Sequence, residues 1–496
     1  MDISIEPDLS EWPARLADAR GPDLFGRAIG EWCGLTRAEL GLDQNRPIIA
    51  TGHQTLLWHP GILAKYLAAQ ACSQASGLAT ANLVVDQHAE GFGDFEIPAR
   101  RSEGSLAVRR LHLTTPRKGV PMGLHEPFTP LRPPALPPGV LPSVAAGVNA
   151  IYDAVYAHRD APNAARQMAR ALQDLMAPWV APLPVVTSSD LLGTTFARAL
   201  LAAMAADPAG CAGHYNEAVR SLPEAGIGEL LVRDDYIELP LWRVRDDGRR
   251  MHAYDNDVQA WLEGSASRSA SASGGDHAPV LMPRALLLTA LVRLGMCDLF
   301  IHGRGGANYD RAMERWIGNW LGVRPAAIAM VTADVRLPLG DDGDVPVDAD
   351  AARGNHGWTQ MGAVGGQALD VERARARFRR LWHDPLSGPG PHGGPSDEKS
   401  DLLEAIDEAP RRSPARRAAF HRLHEALEQE RRVRSDSLAA AEASLERTRM
   451  QAANLAIAAR RDWAFPLYPV GLIDDLAAAI REHAVGRPAD RAVPAR

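Results

Sequence analysis

The feature that most constrains this fold is a repeated alternation between short apolar runs and segments with helical spacing. Five apolar runs of strand length, each leading into polar residues, occur at 47–51, 81–87, 183–187, 298–302 and 326–332. Apolar residues with helical spacing occupy stretches between them, such as 61–76. Buried strands that alternate with helices are typical of the α/β class, and we predict a Rossmann-like, doubly wound parallel sheet with inserted segments.

The last third of the chain has a different pattern, that of long helices. Between Ser413 and Trp463 there is no glycine, and the only proline is Pro414. Ser413 and Pro414 are a typical N-cap and first helical residue, so we predict one helix of about fifty residues, roughly 75 Å long. A seven-residue seam predicts a coiled coil and consists of Leu438, Ala441, Leu445, Thr448, Ala452, Leu455 and Ala459. An earlier stripe at Phe420, Leu423 and Leu427 is out of phase with this seam by four residues.

A helix this long needs a packing partner, which could come from residues 367–384, from 398–411 or from another subunit. Together the patterns predict three parts. A Rossmann-like core covers 1–345, with connecting insertions at about 98–180 and 207–280. A helical coiled-coil domain covers 346–462, and a C-terminal segment, 463–496, packs back on the core.

Composition excludes several classes of protein. The net charge of −7 provides no positive field for nucleic acid. Four scattered cysteines without a CxxC pair form neither a disulfide framework nor a zinc knuckle, and they fit a reducing cytosol. No apolar run reaches the roughly 18 residues that span a bilayer, and the polar, acidic start is unlike a secretory signal. We therefore expect a cytoplasmic protein without nucleic-acid or membrane partners.

The first candidate motif is Thr51-Gly52-His53-Gln54, which is followed by His59-Pro60-Gly61 and Lys65. It lies where a predicted strand meets a helix, and the amides at a helix start attract anions. His53, Gln54 and Lys65 would add side-chain donors to a phosphate or carboxylate. Only three of the 54 basic residues are lysines, which draws attention to Lys65. The alternative is a tight turn with His59 as a cap or surface residue.

Two further motifs follow predicted strands. In Asp86-Gln87-His88 the carboxylate could orient the imidazole, which could then act as a general base or a ligand. The alternative is a capping aspartate and a half-buried histidine. Ser188-Ser189-Asp190 is interpreted first as a helix N-cap.

The glycine cluster His302-Gly303-Arg304-Gly305-Gly306 leads to Asn308 and Tyr309 in a helix predicted near 307–321. It allows close approach of a ligand, although it matches neither GxGxxG nor a Walker A loop, and a bare left-handed turn is the alternative. Arg284 after an apolar run could bind a substrate carboxylate or form a structural ion pair. The histidines match no metal motif, so no metal is predicted, and convergence of His53, His59, His88 and His302 on zinc is the alternative.

The order of these motifs resembles the bacillithiol biosynthesis cysteine-adding enzymes, the BshC family. Residues 51–54 are similar to that family's TGQQ turn, and 86–88 to its acidic, His-containing strand end. Arg284 is similar to its arginine after an apolar run, and 303–309 to its glycine-rich loop that ends in tyrosine. Residues 461–475 resemble the segment after its coiled coil. The resemblance extends over about three quarters of the chain and is patchy between these motifs.

The resemblance implies a Rossmann-like core, a coiled-coil domain, a homodimer and a site for ATP or ADP. It implies a ligase that condenses cysteine with glucosaminyl-malate by forming an amide with the glucosamine nitrogen. The expected catalytic residues are His88, Asp86 and His53. The expected substrate-binding residues are Gln54, Lys65, Arg284, Asn308 and Tyr309. The expected nucleotide-binding residues are Gly52, His59, Gly61, Gly303, Gly305 and Gly306.

Departures from the family pattern fall on the expected site. His53 replaces a glutamine, Gln87 replaces an acid, Ala89 stands where a second acid is usual, and Lys65 is about two positions early. Residues 304–307 also differ from the family's loop. Two other hypotheses therefore remain: a non-catalytic or regulatory relative whose coiled coil binds a partner, and a nucleotidyltransferase of another pathway.

Overall fold

The computed structural model describes residues 1–16, 21, 23–132, 135–267, 279–339, 359–383, 385–387 and 397–485. For residues 265–267, 307, 308, 359–368, 387, 397, 398 and 485 it describes the backbone alone. The chain divides into two compact units. The first comprises Met1–Ile97, Arg109–Leu337 and Arg461–Arg496, and the second comprises Pro98–Val108 and Pro338–Arg460.

The described residues form eleven β-strands. These are β1 (Asp2–Glu6), β2 (Ile48–His53), β3 (Ala79–Val84), β4 (Asp94–Arg100), β5 (Leu106–His112), β6 (Val185–Thr187), β7 (Glu238–Val244), β8 (Arg250–Tyr254), β9 (Val280–Pro283), β10 (Leu299–His302) and β11 (Ala327–Asp334). Six of them form one sheet in the order β1-β11-β10-β2-β3-β6. All neighbours in this sheet are parallel except β1, which pairs antiparallel with β11.

Sixteen α-helices accompany the strands in the described part of the chain. These are α1 (Trp12–Arg15), α2 (Ile29–Glu39), α3 (Pro60–Ser76), α4 (Pro142–Ala157), α5 (Ala164–Met176), α6 (Ser188–Leu192), α7 (Thr195–Ala206), α8 (Pro208–Ser221), α9 (Asp255–Ser267), α10 (Ala285–Gly295), α11 (Arg304–Leu321), α12 (Thr359–His383), α13 (Asp397–Glu408), α14 (Pro414–Val433), α15 (Ser435–Ala458) and α16 (Val470–Val485). None of these helices combines the length and the apolar composition needed to cross a bilayer.

The parallel sheet is buried on both faces, which explains why its strands are continuous apolar runs. Side chains alternate between the two faces of a strand. Ile48 and Ala50 of β2 belong to a core cluster with Trp32 of α2 and Leu291 of α10. Ile49 between them is equally buried but lies outside that cluster, and α3 packs against β2 and β11. Burial on both faces is the usual environment of a parallel sheet.

The mixed α/β class and the mostly parallel sheet are confirmed. Each of the five apolar runs overlaps a strand of the main sheet, and the boundaries differ by at most a few residues. The edge strand β1 was not predicted from the sequence. It is half-buried and contains only five residues, so it carries a weak apolar signal. The C-terminal helix α16 packs against α3 within the first unit.

The local sequence determines where helix α3 begins and ends. Pro60 occupies its first turn, where the missing amide hydrogen costs nothing, and His59 is its N-cap. The Nδ1 atom of His59 accepts a hydrogen bond from the amide of Gly61 at 3.1 Å. The helix ends at Gly77, whose φ of 70° is the left-handed conformation that glycine adopts without strain. The predicted helix over 61–76 is therefore confirmed.

In the second unit, the predicted continuous helix after Ser413 is wrong. Ser413 does cap α14, with Oγ accepting from the amide of Arg416 at 3.1 Å, but the helix is interrupted at Arg434, which has φ −97° and ψ 19°. The halves pack against different partners, α14 on α13 and α15 on α12. The four-residue change of apolar phase between the two stripes accompanies this change of partner.

Partners for these helices come from the predicted segments of the same chain, since α12 spans most of 367–384 and α13 most of 398–411. Leu438, Ala441 and Leu445 of the proposed seam are buried in α15. The β4–β5 strand pair contributes residues 98–108 to this unit. There, the amide of Leu106 donates to the buried Asn454 side chain at 2.7 Å.

Candidate functional site at the strand ends

The carboxyl ends of the parallel strands meet at one edge of the main sheet. In that sheet β2 lies between β10 on one side and β3 on the other, and β6 lies beyond β3. The register places Thr51 opposite Ile301 of β10 and Asn82 of β3. We call the polar residues at this edge the strand-end site: His53, Gln54, Lys65, Asp86, Gln87, His88 and Ser188.

Lys65 and Gly52 are joined by a hydrogen bond at the end of β2. Lys65 is only 3% exposed, and its Nζ donates to the carbonyl oxygen of Gly52 at 2.6 Å. No carboxylate forms an ion pair with Lys65 within the described residues, and burial lowers its pKa to about 7. At position 52 an added Cβ would lie 2.3 Å from the carbonyl oxygen of Leu83. Glycine is therefore required there for β2 to lie beside β3.

Two histidines at this edge are kept in the neutral form. Burial and the nearby charge of Lys65 lower the pKa of His53 to about 3, with smaller contributions from His59 and His88. The Nδ1 atom of His53 lies 3.2 Å from the carbonyl oxygen of Gln54. Burial also lowers the pKa of the half-buried His88. The mutual influence of these groups means that His53 of β2, Lys65 of α3 and His88, which follows β3, lie in one electrostatic environment.

Asp86 contacts the start of α6, which directly follows β6. Its Oδ1 accepts from the hydroxyl of Ser188 and, at 3.1 Å, from the amide of Ser189. The Ser188 hydroxyl also contacts Oε1 of the buried Gln87. Burial raises the pKa of Asp86, and the added Cβ of Gly123 would lie 2.9 Å from its Oδ2. The described hydrogen bonds of the Asp86 carboxylate therefore go to the start of α6 and not to the imidazole of His88.

His59 and Gly61 have structural roles at the start of α3. His59 caps the helix, as the alternative interpretation held. An added Cβ at Gly61 would lie 2.6 Å from the carbonyl oxygen of Ala333 and 2.8 Å from the His59 ring. Burial lowers the pKa of His59, and the charge of Arg461 adds to this effect. The space beside Gly61 is thus filled by atoms of the chain itself.

The glycine cluster after β10 is a helix start and not a loop. Gly303 is the N-cap of α11 with φ −89°, so the left-handed turn is wrong and the helix begins at Arg304 instead of near residue 307. An added Cβ at Gly306 would lie 2.2 Å from Nδ1 of His302, so the ring of His302 fills that space. Nothing lies within 4 Å of an added Cβ at Gly303 or Gly305. Those two glycines leave open space beside the amides of the first turn.

His302 belongs to a buried network that the sequence did not reveal. Its Nε2 lies 2.6 Å from Oδ2 of Asp310, a fully buried carboxylate. Arg293 of α10 contacts Asp310 at 3.1 Å and also pairs with Glu314. Tyr309 lies edge-to-face with His302 at 5.9 Å between ring centroids, and burial raises its pKa to about 12. The side chain of Asn308 lies outside the described residues.

Arg284 forms an ion pair with Glu238. This is the second of the two roles predicted for it from the sequence, a structural ion pair and not a substrate contact. Glu238 is 2% exposed and also lies 2.7 Å from Nδ1 of His252. The guanidinium carbon of Arg284 lies 4.7 Å from the ring centroid of Trp242 on β7. The carboxylate of Glu238 therefore already compensates the charge of Arg284.

Arg250 was not predicted, yet it reaches the strand-end site from β8. Its Nη1 donates to the carbonyl oxygen of Gln87 at 2.7 Å, and its guanidinium carbon lies 5.2 Å from the Trp242 centroid. It lies in the three-stranded antiparallel sheet β8-β7-β9. In the sequence it follows an exposed turn and is adjacent to Arg249, so no local pattern distinguishes it from a surface residue.

The strand-end site therefore brings His53, Lys65 and His88 into one environment beside the helix cap His59. Arg284 is linked to this site through Trp242 and Arg250. Within the described part of the chain, no group of three or more His, Cys, Asp or Glu side chains is arranged to hold a metal ion. No protein-family model matches the sequence, and a search of curated proteins finds no significant match. The case for a function consequently depends on the site itself.

Proposed function

We propose that this protein binds small anionic substrates at the strand-end site of a Rossmann-like core. In chain order the five parallel strands are β2, β3, β6, β10 and β11, and their spatial order is 3-2-1-4-5. The order reverses between β2 and β10, and ligands of such sheets bind beside the strand ends at that reversal. His53 and Lys65 belong to β2 and α3, on one side of that point, and Gly303 follows β10 on the other.

The reaction that we propose is amide formation of the cysteine-adding type, in which cysteine is joined to the amine of glucosaminyl-malate. The observation that carries the proposal is the grouping of His53, Lys65 and His88 at the strand ends, where none of the three forms an ion pair with a carboxylate in the described part of the chain. The charge of Glu90 only partly opposes the lowering of the His88 pKa. Neutral imidazoles and a lysine that titrates near neutrality suit proton transfer and the binding of anions. The resemblance in motif order supplies the substrate class.

In the proposed step, the substrate amine attacks the activated carbonyl carbon of cysteine. A C–N bond forms, the bond to the activating group breaks, and the leaving group departs with the electron pair. His88 accepts the proton that the amine loses, because its lowered pKa keeps the imidazole neutral at neutral pH. Lys65, when protonated, stabilises negative charge on a ligand near Gly52. Because His53 is neutral, Lys65 is the cation that does so at this position.

A nucleotide fits the start of α11 better than the start of α3. Open space lies beside Gly303 and Gly305, whereas the space beside Gly52, Gly61 and Gly306 is filled by the chain. Phosphate oxygens would accept hydrogen bonds from the amides of the first turn of α11. ATP, when bound, would supply the activation that a free carboxyl group needs before an amine can displace it. The site residues of this proposal are thus the amides of 303–305.

The coiled coil, the homodimer and the cytoplasmic location belong to the same proposal. Leu438, Ala441 and Leu445 support a seam in α15, and its packing on α12 accounts for one partner helix within the chain. Light scattering of the purified protein would measure the oligomeric state. A dimer is expected, and a monomer at micromolar concentration would contradict that part of the proposal.

The direct test is product formation. Purified protein is incubated with glucosaminyl-malate and cysteine, with and without ATP, and the amide product is measured by mass spectrometry. His88→Gln should reduce turnover by about 10²- to 10⁴-fold, the usual contribution of general base catalysis. His112→Gln is a matched control, because His112 is an exposed histidine paired with Asp94 at 2.6 Å. No product with a folded protein would favour the non-catalytic relative, and equal loss in both variants would contradict the role of His88.

A nucleotidyltransferase is the second candidate, and the open helix start at Gly303 and Gly305 favours it. Phosphate binding there does not require amide chemistry. Thermal midpoints measured with ATP, ADP and amino acids separate the two candidates, because a ligand that binds only the native state raises the midpoint. A thermal midpoint that rises with ATP but does not rise with any amino acid, together with no amide product, would favour nucleotidyl transfer.

A further inference from the structure

We infer that Arg250, and not Arg284, binds a carboxylate group of the substrate at the strand-end site. This inference deepens the proposed function and assigns one residue of that site. It follows from a comparison of the two guanidinium groups that flank Trp242. Their carbons lie 5.2 Å and 4.7 Å from the indole centroid, for Arg250 and Arg284 respectively.

Arg284 is already compensated. Its guanidinium pairs with Glu238, whose side chain is almost fully buried and also contacts His252. Drawing Arg284 toward a ligand would leave the Glu238 charge buried with a weaker partner, and an uncompensated buried charge is strongly unfavourable. Arg284 therefore holds Glu238 and positions one side of Trp242.

Arg250 is half-buried and has no carboxylate partner among the described residues. It uses Nη1 for the carbonyl oxygen of Gln87 at 2.7 Å. A guanidinium group has five N–H donors, so most of its donors remain for a ligand. Burial lowers the pKa of Arg250, and among the described residues it is the charge of the exposed Glu90 that opposes this effect.

The contacts of Arg250 fix its position and direction. The Gln87 carbonyl holds one nitrogen, and the indole of Trp242 supports the planar group. A preorganised guanidinium loses little side-chain freedom on binding, and its planar fork matches the two oxygens of a carboxylate. Its charge also lowers the pKa of His88, which places both groups beside the same region at the end of β3.

Both substrates of the proposed reaction carry carboxylates, and L-malate is a simple probe for the malyl group. The test measures thermal midpoints of wild type, Arg250→Gln, Arg250→Lys and Arg245→Gln in L-malate or inorganic phosphate at fixed ionic strength. Arg245 is the matched control, since it lies in the turn of the same sheet, is 60% exposed, and lies 3.8 Å from Asp247.

L-malate should raise the midpoint of wild type and of Arg245→Gln. Arg250→Gln should weaken malate binding by about 10- to 100-fold, because a hydrogen bond to a charged group contributes about 1.5–3 kcal/mol. Arg250→Lys keeps the charge but loses the planar fork, so a loss of about tenfold is expected. A purely structural role would instead lower the midpoint without ligand and leave the malate-induced rise unchanged.

Three results would overturn the inference: no response of wild type to malate, equal malate affinity in Arg250→Gln, or a response to phosphate alone. If Arg250→Gln does not fold, Arg250→Lys decides through kinetics, where a raised KM with unchanged kcat supports the assignment and an unchanged KM rejects it. Malate binding through Arg250 without any amide product would preserve this inference and reject the ligase. Amide formation by the wild type, together with unchanged malate affinity in Arg250→Gln, would support the ligase and reject the role of Arg250.

Discussion

Buried charges are paired on one side of the strand-order reversal, at β10, and lack a described ion pair on the other side, at β2 and β3. At the end of β10, His302 contacts Asp310, which contacts Arg293, which also pairs with Glu314. At the ends of β2 and β3, Lys65 has only a carbonyl oxygen as its described hydrogen-bond acceptor.

This difference separates structure from binding. Opposite charges that meet inside the protein satisfy one another and hold α10 and α11 to the sheet. A buried cation is costly when no carboxylate pairs with it, and none of the described residues supplies one for Lys65. Its presence is explained when a ligand supplies the negative charge. We therefore propose that the substrate anion binds at the β2–β3 side, separate from the proposed nucleotide position at the start of α11, and that the buried ion-pair network at β10 stabilises the fold.

The largest expected effect comes from breaking the buried ion pair between Arg293 and Asp310 beside β10. Arg293→Met removes a guanidinium that is 1% exposed and leaves the fully buried Asp310 carboxylate with one partner fewer. Breaking a buried ion pair costs about 3–5 kcal/mol, so we expect a loss of this size in the free energy of unfolding. Urea denaturation should show the loss, whereas Arg311→Met, which removes an arginine with 62% exposure on α11, should cost less than about 1 kcal/mol. A small loss in Arg293→Met would mean that the network does not stabilise the fold.

The next effect tests the uncompensated side through pH. Burial depresses the pKa of Lys65 from 10.5 to about 7, so between these values the unfolded chain holds a proton that the native state lacks. The free energy of unfolding therefore rises as pH increases through this window. The destabilisation caused by burying Lys65 is greatest below pH 7. The advantage of Lys65→Met over wild type should be larger at about pH 6 than at about pH 10, by about 4 kcal/mol.

Lys118→Met is the control for this experiment, because Lys118 is exposed. Its stability difference from wild type should not change with pH. Denaturation curves at both pH values measure the two differences, and a pH-independent effect of Lys65→Met would show that Lys65 titrates as an ordinary lysine.

The smallest effect compares two glycines of one helical turn. Alanine is favoured over glycine in helices by about 1 kcal/mol, so Gly305→Ala, with open space around it, should stabilise the protein. Gly306→Ala would place Cβ 2.2 Å from Nδ1 of His302 and should destabilise it by about 1–3 kcal/mol. Thermal unfolding would show shifts of opposite sign, and shifts of the same sign would contradict the packing of His302 against α11.

Local patterns were sufficient to predict the α/β class and the strands of the parallel sheet, because an apolar run buried on both faces is visible without any partner. They also identified His53, Lys65 and His88 as candidates, since each follows or faces the end of such a run. They failed at Arg434, where the helix break separates packing on α13 from packing on α12. They failed also at Gly303, where a helix start resembles a glycine-rich loop.

The sequence by itself determined which residues could form strands, helices and caps, because those properties depend on neighbours within a few positions. Only the tertiary structure decided which charges meet. Arg250 and Gln87 are 163 positions apart and Arg284 and Glu238 are 46 apart. Nothing local therefore distinguishes Arg284, which pairs with a carboxylate, from Arg250, which forms no ion pair with the described residues. Compensation of charge acts through space over a few ångströms, and it is the folded chain that sets those distances.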